Sequence, residues 1–264
     1  MFVGSLTVPP SSNDHTHTVV FLHGRGDYAD DFSAAVRRSR TSTGTNLYQA
    51  FPAFKWVFLQ APTTDVAKSP GLHWPQWFDI WNVRDFSEKE ELQVEGLKKS
   101  VVGIRDVLAY EVERVGGRWD RIVLAGISQG AATCMHVLAN MDVPNGGRLG
   151  AFLGFSGWCA FPRETLDEMR SMLGLDGVPT DNAVLKNTPV LMEHCADDTL
   201  VPVSNGRILR DILRSFGSQV EWKYYPDGGH RLHAPDGMDD AVEFIKNQVI
   251  GVIGKASSDA TELS

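Results

Sequence analysis

The sequence is poor in cysteine, in basic clusters and in long apolar runs, and each shortage removes a class of protein. Its three cysteines, Cys134, Cys159 and Cys195, stand far apart and never in C-x-x-C spacing. That pattern argues against a disulfide framework and against a zinc site, and all three are read as small buried hydrophobes. Eight histidines are scattered without H-E-x-x-H or another ligand spacing, so no metal and no cofactor is expected. Lys and Arg number 25 against 33 Asp and Glu, a formal charge of -8. With no stretch that gathers cations, a nucleic-acid partner is not expected. Residues 1–20 hold Pro9-Pro10, Asp14 and two histidines, but no apolar run long enough for a signal peptide or a membrane span. Phe2 in place of Gly and a C-terminal Glu-Leu-Ser lack the common lipidation signals. Together these absences predict a soluble, cytoplasmic protein; a monomer or homodimer is expected, with nothing in the sequence choosing between them.

What is present suffices for a full core. The 264 residues are 42% hydrophobic and 22% charged, and α/β folds of this length commonly form one domain. Short apolar β-type runs alternate with helical patterns, the signature of βαβ units and a mostly parallel sheet covered on both faces. Strands are predicted at Thr18 to Leu22, Lys55 to Gln60, Arg121 to Ala125, Leu149 to Phe155, Pro189 to Glu193 and Val220 to Tyr225. Helices are predicted at Asp31 to Arg40, Gln129 to Ala139, Asn205 to Ser215 and Asp239 to Val249. The longest runs from Glu88 to Val115, where Leu97, Val101, Ile104, Leu108, Val112 and Val115 recur at helical spacing, and Gly116-Gly117 ends it. Two long connections fit neither pattern: residues 61–87, rich in Pro, Gly and aromatics, and residues 157–187 around a short amphipathic segment from Arg163 to Leu173. Such connections usually build a site. The predicted organisation is a flexible segment 1–15, one domain 16–253 and a disordered polar tail 254–264.

Residues 121–130 carry the strongest chemical signal. A β-branched and aliphatic run enters Gly126-Ile127-Ser128-Gln129-Gly130 and leaves into an alanine-rich helical stretch, the pattern of a nucleophile elbow with Ser128 at its tip. A strand that turns sharply into a helix crowds the positions two before and two after the serine, and glycine there removes the clash. The helix that begins at Gln129 aims its positive end at any negative charge forming nearby.

A serine hydroxyl needs a base within hydrogen-bond reach and an acid to hold that base. The strand at Pro189 to Glu193 ends in His194-Cys195-Ala196-Asp197-Asp198, and Asp198 is the candidate acid, with Asp197 as its competitor. The strand at Val220 to Tyr225 ends in Pro226-Asp227-Gly228-Gly229-His230, and His230 is the candidate base. Ser, then Asp, then His is the chain order of the α/β-hydrolase fold. His23 and His194 are read as loop braces bonded to backbone, and His136 and His233 rank behind His230. A tetrahedral oxyanion needs donors, and the candidates are the backbone N–H of Gln129 and that of Arg25, in the glycine-rich loop Leu22-His23-Gly24-Arg25-Gly26-Asp27. Trp77 and Trp158 are candidate walls of a substrate pocket, with ordinary packing as the alternative.

Phe21-Leu22-His23-Gly24-Arg25-Gly26-Asp27, Gln60-Ala61-Pro62, Trp77-Phe78-Asp79, Gly126-Ile127-Ser128-Gln129-Gly130 and the run His194 to Pro202 together resemble the acyl-protein thioesterase, lysophospholipase and carboxylesterase family of α/β-hydrolases, over about residues 16–250. The resemblance implies an α/β-hydrolase fold with little or no lid. It also implies a cytosolic serine hydrolase that cleaves ester or thioester bonds of acyl substrates (an acylated protein, a lysolipid or a small ester) through an acyl-enzyme. Ser128, Asp198 and His230 fall at its triad positions, and Arg25 and Gln129 at its oxyanion hole. The sequence departs from the family with Arg25 where Leu is common, with Ala131 where a second Gly follows the elbow, and with Cys195-Ala196-Asp197 before the acid. The segment Arg163 to Leu173 is longer than usual, which raises a cap over the acyl site. Arg25 and the segment 157–187 motivate one alternative to an acyl-protein thioesterase, a hydrolase dedicated to one small ester or lactone of a biosynthetic pathway; a further alternative, since a fold does not dictate activity, is a hydrolase-fold binding module with a silent triad.

Overall fold

The structure is a computed structural model that describes residues 4–251. The elements follow in the order β1 (Ser5–Val8), β2 (His17–Leu22), α1 (Ala29–Arg38), α2 (Leu47–Ala50), β3 (Phe54–Leu59), β4 (Thr63–Asp65), β5 (His73–Pro75), α3 (Glu91–Arg114), β6 (Ile122–Ile127), α4 (Gln129–Asn140), β7 (Ala151–Phe155), α5 (Leu166–Leu173), α6 (Ala183–Asn187), β8 (Val190–Cys195), α7 (Val203–Ser215), β9 (Val220–Tyr225) and α8 (Asp236–Ile245). One sheet runs in the order β1-β3-β2-β6-β7-β8-β9. Every pairing is parallel except that of β1 with β3. β4 and β5 form a separate antiparallel hairpin.

Strands β2, β6, β7 and β8 are buried at every position, which is why their apolar residues come in consecutive runs rather than in alternation. Their side chains still sort by the two-residue period. Val20, Leu22, Ile122 and Leu124 join a core shared with α3, α4, α5 and α7, while Val19, Phe21, Val123 and Ala125 join a second core under α1, α2 and α8. Helices therefore cover both faces, as expected of an α/β-hydrolase fold. Full burial of each such aliphatic or aromatic side chain contributes about 1.5–3 kcal/mol before conformational entropy is counted. All three cysteines are free and buried, and burial pushes the Cys159 thiol up to about 12.

Three expectations change. Residues 1–15 do not all stand outside the packed unit, because Ser5–Val8 pairs with β3 along the sheet edge. That strand is short and mostly exposed, so its pairing rests on β3 rather than on its own apolar content. The hairpin β4–β5 forms within the connection 61–87. The segment 157–187 packs α5 against α3 and α4, and of its residues only Trp158 lines the cleft described below; it is no cap. The tail 254–264 lies outside the described residues.

The strands β2, β6 and β8 lead directly, at their carboxyl ends, into Gly24-Arg25, Ser128 and Asp198, and β9 leads into the loop that carries His230. Open α/β sheets bind ligands at that edge.

Candidate active site

Ser128 has φ 56° and ψ -123°, a conformation that side chains rarely adopt and that costs on the order of 1–3 kcal/mol. Its neighbours enforce it. The Ser128 N–H donates to the Phe155 carbonyl at 2.9 Å and its own carbonyl accepts from Ala132 at 3.1 Å. A Cβ on Gly126 would stand 2.5 Å from the Gly130 carbonyl group, and one on Gly130 would collide with the Leu22 carbonyl. Glycine at both positions is a steric requirement. The methyl of Ala131 is accommodated from the other side: a Cβ on Gly157 would stand 2.9 Å from it.

His230 Nδ1–H donates to Asp198 Oδ2 at 2.7 Å. Asp198 Oδ1 accepts from the N–H groups of Leu200 at 3.0 Å and Val201 at 2.9 Å. His194 Nε2–H donates to the Val201 carbonyl at 2.8 Å and lies 3.5 Å from Asp198 Oδ2. Burial pushes the Asp198 carboxyl up, but the hydrogen bonds from His194, His230 and Val201 outweigh it and hold the group below the usual carboxylate range. Asp197 is exposed and accepts from the Gly229 N–H at 2.8 Å; it anchors the loop beside His230 and leaves the ring to Asp198. His230 and Ser128 line one cleft, with no hydrogen bond between them.

Among the described residues, neither the Arg25 nor the Gln129 backbone N–H has a protein acceptor. Gly24 runs close to the serine, where a Cβ would stand 3.4 Å from Ser128 Cβ. Three bonds fix this loop: His23 Nδ1–H to the Gly24 carbonyl at 2.7 Å, Trp77 Nε1–H to the His23 carbonyl at 2.8 Å, and Gly26 N–H to the Pro75 carbonyl at 2.7 Å. His23 Nε2 accepts from the Ala61 N–H at 3.1 Å. The two histidines ranked behind His230 stand elsewhere: His136 donates to the Ala160 carbonyl, and His233 stacks on Tyr225.

The cleft has a volume of about 810 Å³. Trp158 lines it, stacked on Phe86 at 4.2 Å with an interplanar angle of 8°, and Ile80 and Val83 continue that apolar wall. Trp77 does not line it. Its side chain is 1% exposed within the first core, and its indole braces the Gly24-Arg25 loop through the bond to His23. A larger depression, about 1070 Å³ between residues 60–65 and α3, contains neither Ser128 nor His230, so size alone does not mark the site.

Residues 4–249 match the model of the phospholipase/carboxylesterase family. The chain belongs to that family. It is 31% identical to acyl-protein thioesterase 1 of Gibberella zeae across 91% of this chain and 94% of the relative. It is 24% identical to acyl-protein thioesterase 1 of Candida albicans across 94% and 99%. The crystal structure of Zea mays acyl-protein thioesterase 2 superposes with a TM-score of 0.71 at 25% identity, covering 93% of this chain and 99% of that one. Esterase PE8, at 22% identity and a TM-score of 0.70, shares the fold.

Within this phospholipase/carboxylesterase chain, three features of the site escape a reading of the sequence. The Gln129 side chain accepts from the Trp77 N–H at 3.0 Å and donates to the Phe78 carbonyl at 2.7 Å, joining the elbow to the aromatic loop. Phe86 supplies a cleft wall from a stretch without periodicity. Arg25 is no free cation, since its guanidinium donates to Gln76 at 2.7 Å and to Asp79 at 3.2 Å.

Proposed function

We propose that the chain is a serine hydrolase that cleaves thioester or oxygen-ester bonds of acyl substrates through an acyl-enzyme. The observation that carries the reading is the 2.7 Å bond from His230 Nδ1–H to Asp198, made at the cleft that also holds Ser128. In the neutral ring that bond holds the proton on Nδ1, so that Nε2 can accept the Ser128 proton. Ser128 Oγ attacks the acyl carbonyl and His230 takes its proton. The N–H groups of Arg25 and Gln129 receive the oxyanion, aided by the positive end of α4. Collapse expels the thiol or alcohol with the proton from His230, and water, deprotonated by the same ring, releases the acid. The wall of Ile80, Val83, Phe86 and Trp158 suits an acyl chain. The relatives named acyl-protein thioesterase support an acylated protein as substrate, with lysolipids and small esters as the comparison set. No helix of the described residues is long and apolar enough to cross a membrane, and a cytoplasmic monomer or homodimer is the proposed form.

The test replaces Ser128 with Ala and measures hydrolysis of a short-chain p-nitrophenyl ester, a palmitoylated peptide and a lysophospholipid. A loss of at least about a thousandfold in kcat is expected, together with fluorophosphonate labelling of the unaltered protein at Ser128. A variant that keeps most of its activity, or folded protein that takes no label, overturns the reading.

A further inference from the structure

The wall of the Ser128 cleft carries two cations without partners. Arg38, in the last turn of α1, and Arg231, beside His230, are exposed and line the cleft. Among the described residues neither makes a hydrogen bond, an ion pair or a ring contact. Their neighbours are all engaged: Arg25 is matched by Asp79, Arg37 lies over Tyr48, and Arg40 donates to Gln49. A helix C-terminus favours a cation at position 37 or 38, but that preference does not require one on the cleft wall. Asp27 is the one carboxylate among the lining residues, and it already accepts from the Tyr28 N–H. Two unmatched guanidinium groups therefore share the cleft wall with one carboxylate, in a chain whose formal charge is -8.

The segments that carry the cations belong to one side of the cleft. Ile80, Trp158 and Val201 belong to the core on one face of the sheet, with Phe86 packed against it. Phe32, Ile127 and Leu232 belong to the core on the other. Arg38 shares α1 with Phe32, and Arg231 adjoins Leu232 in the chain, so both cations are carried by segments that contribute to the second set. The first side is aromatic and aliphatic. A substrate with its carbonyl at Ser128 then meets an apolar wall toward one end and unpaired cations toward the other.

We propose that the second side receives the leaving group, and that the thiol or alcohol released carries an anion, a carboxylate or a phosphate, held by Arg38 and Arg231. The planar guanidinium fork matches both anions in two parallel hydrogen bonds. The inference rests on the serine-hydrolase reading, and adds to it the charge of the departing fragment. The chemistry is ordinary thioester cleavage: the C–S bond breaks, water adds to the acyl carbon, and the anion on the thiol takes no part in bond making.

The experiment uses thioesters that share one hexanoyl chain and differ in the thiol: 3-mercaptopropionate, 2-mercaptoethyl phosphate, 2-mercaptoethanol and thiocholine. Each rate is normalised to spontaneous hydrolysis by hydroxide, which removes differences in leaving-group reactivity. The normalised kcat/KM is expected to run anionic, neutral, cationic, with about tenfold between the anionic and neutral thiols at low salt and less as salt rises. The two anionic members separate carboxylate from phosphate. In the Arg38→Gln/Arg231→Gln double variant the ratio of anionic to neutral should fall close to one, and in Arg38→Glu/Arg231→Glu the order should invert in favour of thiocholine. Equal normalised rates in the unaltered protein, or an anionic preference that survives both double variants, overturns the inference. Failure of the unaltered protein to cleave any of the four, with no fluorophosphonate label on Ser128, instead removes the hydrolase reading beneath it.

Discussion

The interior of strand β8 and the loop just beyond its end hold two carboxylates in opposite situations. Glu193 lies inside, with both oxygens buried and no hydrogen-bond partner for either among the described residues. Burial pushes it well above the usual carboxylate range, with Asp240 adding to the effect and Lys223 opposing it. Gly237 packs so closely that a Cβ there would stand 2.6 Å from Glu193 Oε2. Asp198 is buried as well, yet it gathers two backbone N–H groups and the His230 ring, with His194 close by, and is held low. Burial thus does not decide whether an acid is charged; the donors that the chain brings to it do. The loop after β8 supplies them because it turns back on itself between Asp198 and Val201, whereas regular strand geometry commits its N–H groups to neighbouring strands.

The sharpest way to break this contrast is to neutralise each acid in turn. Asp198→Asn should lower kcat by about a thousandfold to ten-thousandfold, since the amide no longer holds the imidazole in the required tautomer. Glu193→Gln should leave kcat within about twofold. Comparable losses in both, measured on one p-nitrophenyl ester, would erase the distinction. A smaller effect tests the donors themselves. His194→Phe removes the Nε2–H that ties Val201 and faces Asp198, and should lower kcat about tenfold, or about 1.4 kcal/mol, with KM little changed. His194→Gln, which returns an N–H near the same place, should recover most of it. A packing role alone predicts the opposite ranking, because Phe fills the space better. The bare Nδ1 of His194 is pressed by Gly206, where a Cβ would collide with it, so both variants require a check of folding by circular dichroism.

The smallest expected effect concerns stability. A carboxyl whose folded value is raised keeps its contribution below the unfolded value, near 4.5, and loses it progressively as pH rises above that. Above that value the unfolded chain ionises Glu193 more fully than the folded chain does, which favours unfolding. Glu193→Gln removes that penalty and should add about 0.5–2 kcal/mol at pH 7, shrinking to nothing or reversing at pH 4. Urea midpoints at the two pH values measure it, and a gain that is larger in acid would mean that Glu193 is charged in the folded protein.

The interior strands are legible in the sequence because β6 and β7 are apolar throughout and β2 and β8 hold apolar runs at residues 19–22 and 190–192. Helix α3 is legible because one face repeats over many turns and Gly116-Gly117, both at positive φ, mark its end. Ser128 could be read because the flanking glycines answer a local steric demand. The edge strand Ser5–Val8 could not, since its partner lies far away in the chain and its side chains are mostly exposed. Trp77 shows the same limit at the site: a tryptophan in an aromatic loop suggests a pocket wall, and only the fold reveals that its indole faces the His23 carbonyl. Arg25 was conspicuous for its charge, but Gln76 and Asp79, which absorb it, are fixed by the path of the loop after β5.

Residue 129 joins two parts of the molecule through one side chain. Its amide grips the backbone at Trp77 and Phe78, while its N–H stands beside Ser128 at the first turn of α4. Trp77 in turn grips the loop that carries Arg25. The two free N–H groups are therefore not independent parts but opposite ends of a single closed truss, and a displacement of the aromatic loop would be inherited by both at once.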